Sequence, residues 1–96
     1  MTKFRFSRKA EADIAEIGDF IASDDPRRAV SFVAELRERC RKLVEFPDAF
    51  PLRPELGEGV RMALLGVYRI FYVRHPDVLE IRRVLHGARR MPKDRT

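Results

Sequence analysis

The chain has 96 residues, of which 45% are apolar and 36% charged, with a formal net charge of +5. A length of this order builds one small core rather than two, and the composition is that of a globular chain, not a disordered one. The single cysteine, Cys40, excludes an internal disulfide and suits a reducing compartment.

No apolar run approaches the ~20 residues needed to span a bilayer. MTKFRFSRK lacks an apolar segment of signal-peptide length, so the expected location is the cytoplasm, with no membrane partner.

Lys3–Phe6 alternates and predicts a short strand with Phe4 and Phe6 on one face. Ser7 follows as a helix N-cap, its hydroxyl able to accept from a free N–H of the first turn. Ala10, Ile14, Ile17 and Ile21 then recur at helical spacing, with Glu11, Asp13, Glu16 and Asp19 expected on the surface. Gly18 either weakens this helix or lets a neighbour approach it closely.

Ser23-Asp24-Asp25-Pro26 breaks the pattern: Asp25 can cap a second helix and Pro26 suits its first position. Ala29, Val33, Leu36, Cys40 and Leu43 make its apolar stripe, which Phe46-Pro47 ends. So short a link predicts an antiparallel helical hairpin. Phe46–Gly59, with three prolines and two glycines, reads as a surface loop pinned by Phe46, Phe50 and Leu52.

Three strands follow, Val60–Leu65, Val67–Arg74 and Val78–His86. In the second, Tyr68, Ile70 and Tyr72 share one face and Arg69, Phe71 and Val73 the other. Alternation fails at Arg82-Arg83, which a bulge would explain. The order β-α-α-β-β-β predicts a two-layer α+β domain over residues 1–96, an antiparallel sheet covered on one face by the helical hairpin. Two helices cannot cover both faces, so some of the aromatic surface is expected to face outward or line a groove.

The last third concentrates fixed cations, Arg61, Arg69, Arg74, Arg82, Arg83 and Arg89, with both tyrosines and both histidines of the chain. The basic end fits nucleic acid, an acidic protein or merely a solubilising tail. No metal-ligand spacing, Walker loop, GxGxxG or serine with a nearby base appears, and no cofactor or metal is expected. Cleavage of RNA through its own 2′-hydroxyl stays open, because it needs only a base, an acid and cations. Arginines would supply the cations, and His86, Tyr68 or Tyr72 the proton transfer. Each also has a structural reading: tyrosines packed in the core, His86 hydrogen-bonded at a strand end, and Arg61 and Arg83 paired with Glu55, Glu58 or Glu80. Arg69, flanked by aromatics in a central strand, requires either a buried acidic partner or an anion-binding surface. The reading favoured is a cationic, ring-lined platform shaped for capture rather than bond-breaking.

Across nearly its whole length the chain resembles the ParE toxins of type II toxin–antitoxin modules, within the RelE/ParE superfamily. The resemblance runs through Phe4-Arg5-Phe6-Ser7, Asp13-Ile14, Asp25-Pro26, Gly59-Val60-Arg61, Tyr68-Arg69-Ile70-Phe71-Tyr72 and Val84-Leu85-His86-Gly87-Ala88-Arg89. It implies a bacterial toxin of the kind tied to plasmid stabilisation. It also implies a hetero-oligomeric complex with an acidic, ParD-like antitoxin, with operator DNA bound only through that antitoxin.

ParE-like toxins inhibit DNA gyrase without a cofactor. RelE-like relatives are ribosome-dependent mRNA endonucleases, with basic residues at positions matching Arg69 and Arg89 and a proton-transfer group near the C-terminus. Here only RMPKDRT follows Arg89, without tyrosine or histidine, and arginine is a poor general acid or base.

The expectation is therefore a non-enzymatic gyrase poison. Its toxicity residues would be Arg61, Arg69, Tyr72, Arg83, His86 and Arg89; Arg69, His86 and Arg89 are the fallback catalytic set of a nuclease. Phe20, Leu64, Tyr68 and Phe71 are candidates for antitoxin contact. The remaining alternative is an antitoxin-binding module that has lost toxicity.

Overall fold

The computed structural model describes residues 3–87. Strand β1 (Lys3–Phe6) leads into helix α1 (Arg8–Ala22) and helix α2 (Pro26–Lys42), and a loop with a 3-10 turn at Pro54–Leu56 precedes β2 (Val60–Leu65), β3 (Tyr68–Arg74) and β4 (Val78–His86). The caps are those the sequence offers. Ser7 Oγ accepts from the Ala10 amide, the Asp25 carboxylate accepts from Arg28, and Pro26 opens α2.

Strands β2, β3 and β4 form the expected antiparallel meander, and the sheet order is β1-β4-β3-β2. β1 joins the outer edge of β4 in parallel, so the complete sheet is mixed. The α-hairpin lies between them as the crossover that a parallel pair requires. The bulge falls where alternation failed: Tyr72 pairs with Ile81 and Phe71 with Arg83, leaving Arg82 without an opposite residue.

The main core joins Ala10, Ile14 and Ile17 of α1 and Leu36 and Cys40 of α2 to Ile70, Tyr72, Leu79, Ile81 and Val84 of the sheet. Burial pushes the Cys40 thiol up to about 12, so it is inert packing. A Cβ on Gly18 would stand 3.2 Å from Val33, so the missing side chain seats α2 against α1.

Expectation and structure part on the second sheet face. It is not a solvated aromatic surface. Val60, Phe71, Val73 and Leu85 form a second buried cluster beneath Leu56 and Met62. Phe71 is 3% and Tyr72 0% exposed. The polypeptide before β2 supplies the cover, its edge joined to β2 by the Leu52–Arg61 bridge and the Arg53 amide to the Val60 carbonyl. Of the residues expected to pin that loop, Phe46 and Leu52 are exposed and only Phe50 packs on the main core. Hydrogen bonds supply the rest: Tyr72 Oη donates to the Pro47 carbonyl at 2.9 Å and Arg61 donates to that of Phe50.

Candidate functional site

β1 ends at Phe6, opposite Ile81 and immediately before the bulge at Arg82, and β4 continues to His86. Its free edge is closed first by Ser7, whose amide donates to the Ile81 carbonyl and whose hydroxyl donates to that of Arg82. Asp13 of α1 closes it next. One carboxylate oxygen accepts from the Val84 amide at 2.9 Å and from Arg83 Nε at 2.8 Å, and the other from Arg83 Nη2 at 3.0 Å. After the bulge Arg83 is registered opposite Phe71, and its side chain meets Asp13 of α1 at the free edge of β4. The bond to Asp13 raises the Arg83 pKa further, fixing its charge.

Asp13 was expected on the surface and is 6% exposed. The available signal was its place inside the Ala10–Ile14–Ile17 stripe, where a carboxylate requires a cationic partner.

Beyond Asp13, α1 and the sheet separate into a cleft of about 280 Å³ lined by Asp13, Glu16, Ile17, Phe20, Tyr68, Val84 and His86. Tyr68 is its floor, held by Phe32 at 5.4 Å between ring centroids and met edge-on by His86 at 5.6 Å. Phe20 stands at its mouth, 75% exposed.

The named arginines are therefore not one platform. Arg83 is held by Asp13, not by Glu55, Glu58 or Glu80. Arg61 lies opposite Tyr72, binds Asp48 at 3.3 Å and anchors the loop. Arg74 shares Asp48 at 3.6 Å. Arg82 and Arg5 converge on Glu80, with His75 3.4 Å away. Burial alone would raise the Glu80 carboxyl, but bonds from Arg82 and His75 and the charges of Arg82 and Arg5 hold it below the ordinary carboxylate value.

Arg69 differs from all of these. Among the described residues no carboxylate or carbonyl engages its guanidinium. It lies on the second face beside exposed Leu64 and buried Leu85. A Cβ on Gly87 would come within 2.9 Å of the Val67 carbonyl, so the glycine is what lets the two backbones pass so closely beside Arg69.

Of the proposed antitoxin contacts, Phe20 and Tyr68 meet in the cleft, Leu64 lies beside Arg69 on the other face, and Phe71 is buried beneath the second cluster. Of the proposed toxicity residues, Tyr72 is a core residue and His86 lines the cleft, while Arg89 lies outside the described residues. Arg69 and His86 do not converge, because alternation places them on opposite sheet faces. Among the described residues, no three or more His, Cys, Asp or Glu side chains are grouped to hold a metal ion. No described helix is long and apolar enough to cross a membrane.

The family model for the ParE toxin of the type II toxin–antitoxin system, parDE, matches residues 4–91. The chain belongs to the ParE toxin family. No curated protein matches it significantly. Among solved structures, a chain of the chromosomal ParDE toxin–antitoxin system from P. aeruginosa shares 24% identity over 90% of this chain and 96% of its own, with a TM-score of 0.78. A chain of the toxin–antitoxin complex RelBE2 from Mycobacterium tuberculosis shares 28% identity over 92% of this chain and 93% of its own, with a TM-score of 0.67. YafQ from E. coli shares 14% identity over 92% of this chain and 96% of its own, with a TM-score of 0.58. The ParE-family protein thus has the β-α-α-β-β-β fold that these structures share, as the sequence led one to expect.

Proposed function

We propose that this ParE-family toxin acts by binding DNA gyrase rather than by cutting RNA, and that a ParD-like antitoxin neutralises it in a hetero-oligomeric complex. The separation of Arg69 from His86 carries the first part. Phosphodiester cleavage needs a cation and a proton-transfer group around one phosphate. Here the one sheet arginine without a described partner and the histidine nearest it face opposite ways. An arginine beside an exposed leucine instead suits a protein surface that offers carboxylates and apolar side chains.

The antitoxin reading rests on the family and on the exposed apolar side chains of Phe20, Leu64 and Val67. An acidic, amphipathic antitoxin tail folding onto the toxin would cover Leu64 and offer carboxylates to Arg69.

Purified toxin added to gyrase in a DNA supercoiling assay tests the target. Inhibition or a trapped cleavage complex, relieved by stoichiometric antitoxin, is expected. A-site cuts by toe-printing on translating ribosomes, with gyrase untouched, would replace this reading by the endonuclease. Unimpaired growth on induction without antitoxin would leave only a binding module.

A further inference from the structure

The cations Lys3, Arg5, Arg8, Lys9 and Arg82 gather where β1 turns into α1. Ser7 joins them: its amide donates to the Ile81 carbonyl and its hydroxyl to that of Arg82, so the bulge of β4 is held against the start of the helix. Lys3 and Arg5 alternate with Phe4 and Phe6, which pack on the main core, so both cations lie on the other face of β1. Arg5 Nε at 3.3 Å and Arg82 Nε at 2.8 Å donate to the two carboxylate oxygens of Glu80. Glu80 thereby holds two guanidiniums side by side, and both stay about half exposed with donors to spare.

Lys3, Arg8 and Lys9 are exposed and form no ion pair with a described residue. The carboxylates of the adjoining helix turns are taken, Glu11 by Arg37 at 2.7 Å and Asp13 by Arg83 at 2.8 Å. The two helices differ in how they start. α2 opens on a carboxylate cap, Asp25, preceded by Asp24, and Arg28 in its first turn reaches Glu35. α1 opens on a neutral cap, Ser7, and sets Arg8 and Lys9 at the positive end of its own dipole, where cations work against folding. None of the exposed large hydrophobics, Phe20, Val30, Phe46, Leu52, Leu64 and Val67, belongs to these segments. A protein interface is built around an apolar centre, whereas a phosphate backbone is held by fixed cations alone.

We propose that this corner grips the phosphate backbone of duplex DNA, without reading its sequence. The inference rests on the gyrase reading above and deepens it: the toxin holds the DNA that the enzyme has engaged as well as the enzyme itself.

The test titrates full-length toxin against a short random-sequence duplex over a range of salt, comparing wild type, Arg8→Gln/Lys9→Gln and Arg27→Gln/Arg28→Gln. The second pair removes the same charge from the first turn of α2. Loss of Arg8 and Lys9 should weaken binding about tenfold or more at low salt and flatten the slope of log affinity against log salt by about 2. Loss of Arg27 and Arg28 should change both far less. Thermal melts of the free toxins should show the Arg8/Lys9 variant at least as stable as wild type, since the dipole no longer opposes it. In the supercoiling assay the same variant should need more toxin for equal inhibition. No salt-dependent duplex binding by wild type overturns the inference. Equal losses from both pairs do so too, since net charge alone would then act, and so does a destabilised Arg8/Lys9 variant, since the cations would then serve the fold. Tighter binding of single-stranded RNA of equal length overturns it in favour of RNA. Unchanged inhibition by a variant that has lost duplex binding overturns its part in the action on gyrase. Gyrase untouched by wild-type toxin, with duplex binding as expected, overturns the gyrase reading and leaves the DNA contact standing.

Discussion

Arg83 and Arg69 sit on adjacent strands of one sheet, and the fold treats them in opposite ways. At the β4 edge, Arg83 is enclosed with Asp13 in a two-point ion pair that also caps a backbone amide. On the second face, Arg69 projects beside Leu64 with no described partner. The first cation is part of the architecture, standing in for the strand pairing that β1 stops short of providing. The second has no acidic partner among the described residues. Sequence neighbours alone do not separate the two; what separates them is whether a helix residue arrives opposite.

That contrast breaks most visibly at Asp13. Asp13→Ala would strand a largely buried guanidinium and an unbonded amide, and should cost about 3 kcal/mol in denaturant unfolding. Asp13→Asn, which still offers an acceptor to Val84, should cost less. Against a total stability of roughly 5–15 kcal/mol, the alanine variant is severely weakened. If it unfolds like wild type, the ion pair is not structural.

Next in size is Tyr72→Phe. It removes the bond to Pro47 and should cost about 1 kcal/mol, with faster amide exchange in the loop before β2. Unaltered exchange there would mean that Arg61 alone holds the loop.

A smaller effect belongs to Glu80. Its carboxyl titrates below the ordinary value of 4.5 in the folded chain, so its stabilisation is complete above that value and is lost as pH falls through the folded value. Glu80→Gln should flatten the acid limb of the stability–pH curve by less than about 1 kcal/mol, since its arginine partners are half exposed. An unchanged acid limb would show that other carboxylates dominate it.

The least structural change is expected at Arg69. Arg69→Ala should alter stability by no more than about 0.5 kcal/mol while abolishing growth arrest. A variant that is unfolded by circular dichroism would place Arg69 with Arg83 after all.

Much of the fold was legible because it rests on local rules. The caps at Ser7 and Asp25, the helical stripes, the span of β4 and the bulge at Arg82 all leave short-range marks. The long-range features did not. Nothing in KFRF says that it pairs in parallel with a strand some 75 residues on, and the second cluster depends on Leu56 folding back over Phe71 and Val73. At the site, Phe20 and Tyr68 could be named from exposure and aromatic content, but their meeting in one cleft depends on where α1 leaves the sheet. Asp13 was misplaced because helical periodicity counts apolar positions and passes over an acid among them. Only the partner on β4 makes its burial intelligible.

The parallel pairing of β1 with β4 also bears on when the molecule becomes dangerous. Lys3 is matched with Val78 and Phe6 with Ile81, so a chain emerging from the ribosome cannot seat its first strand until its last has been made. Synthesis proceeds from the N-terminus at about 5–20 residues per second. Until β4 has been made the nascent chain therefore lacks the finished sheet, and the folded toxin cannot form before that point. Any partner that recognises the finished sheet, such as the antitoxin proposed above, has the time taken to synthesise the residues between the two strands in which to be ready.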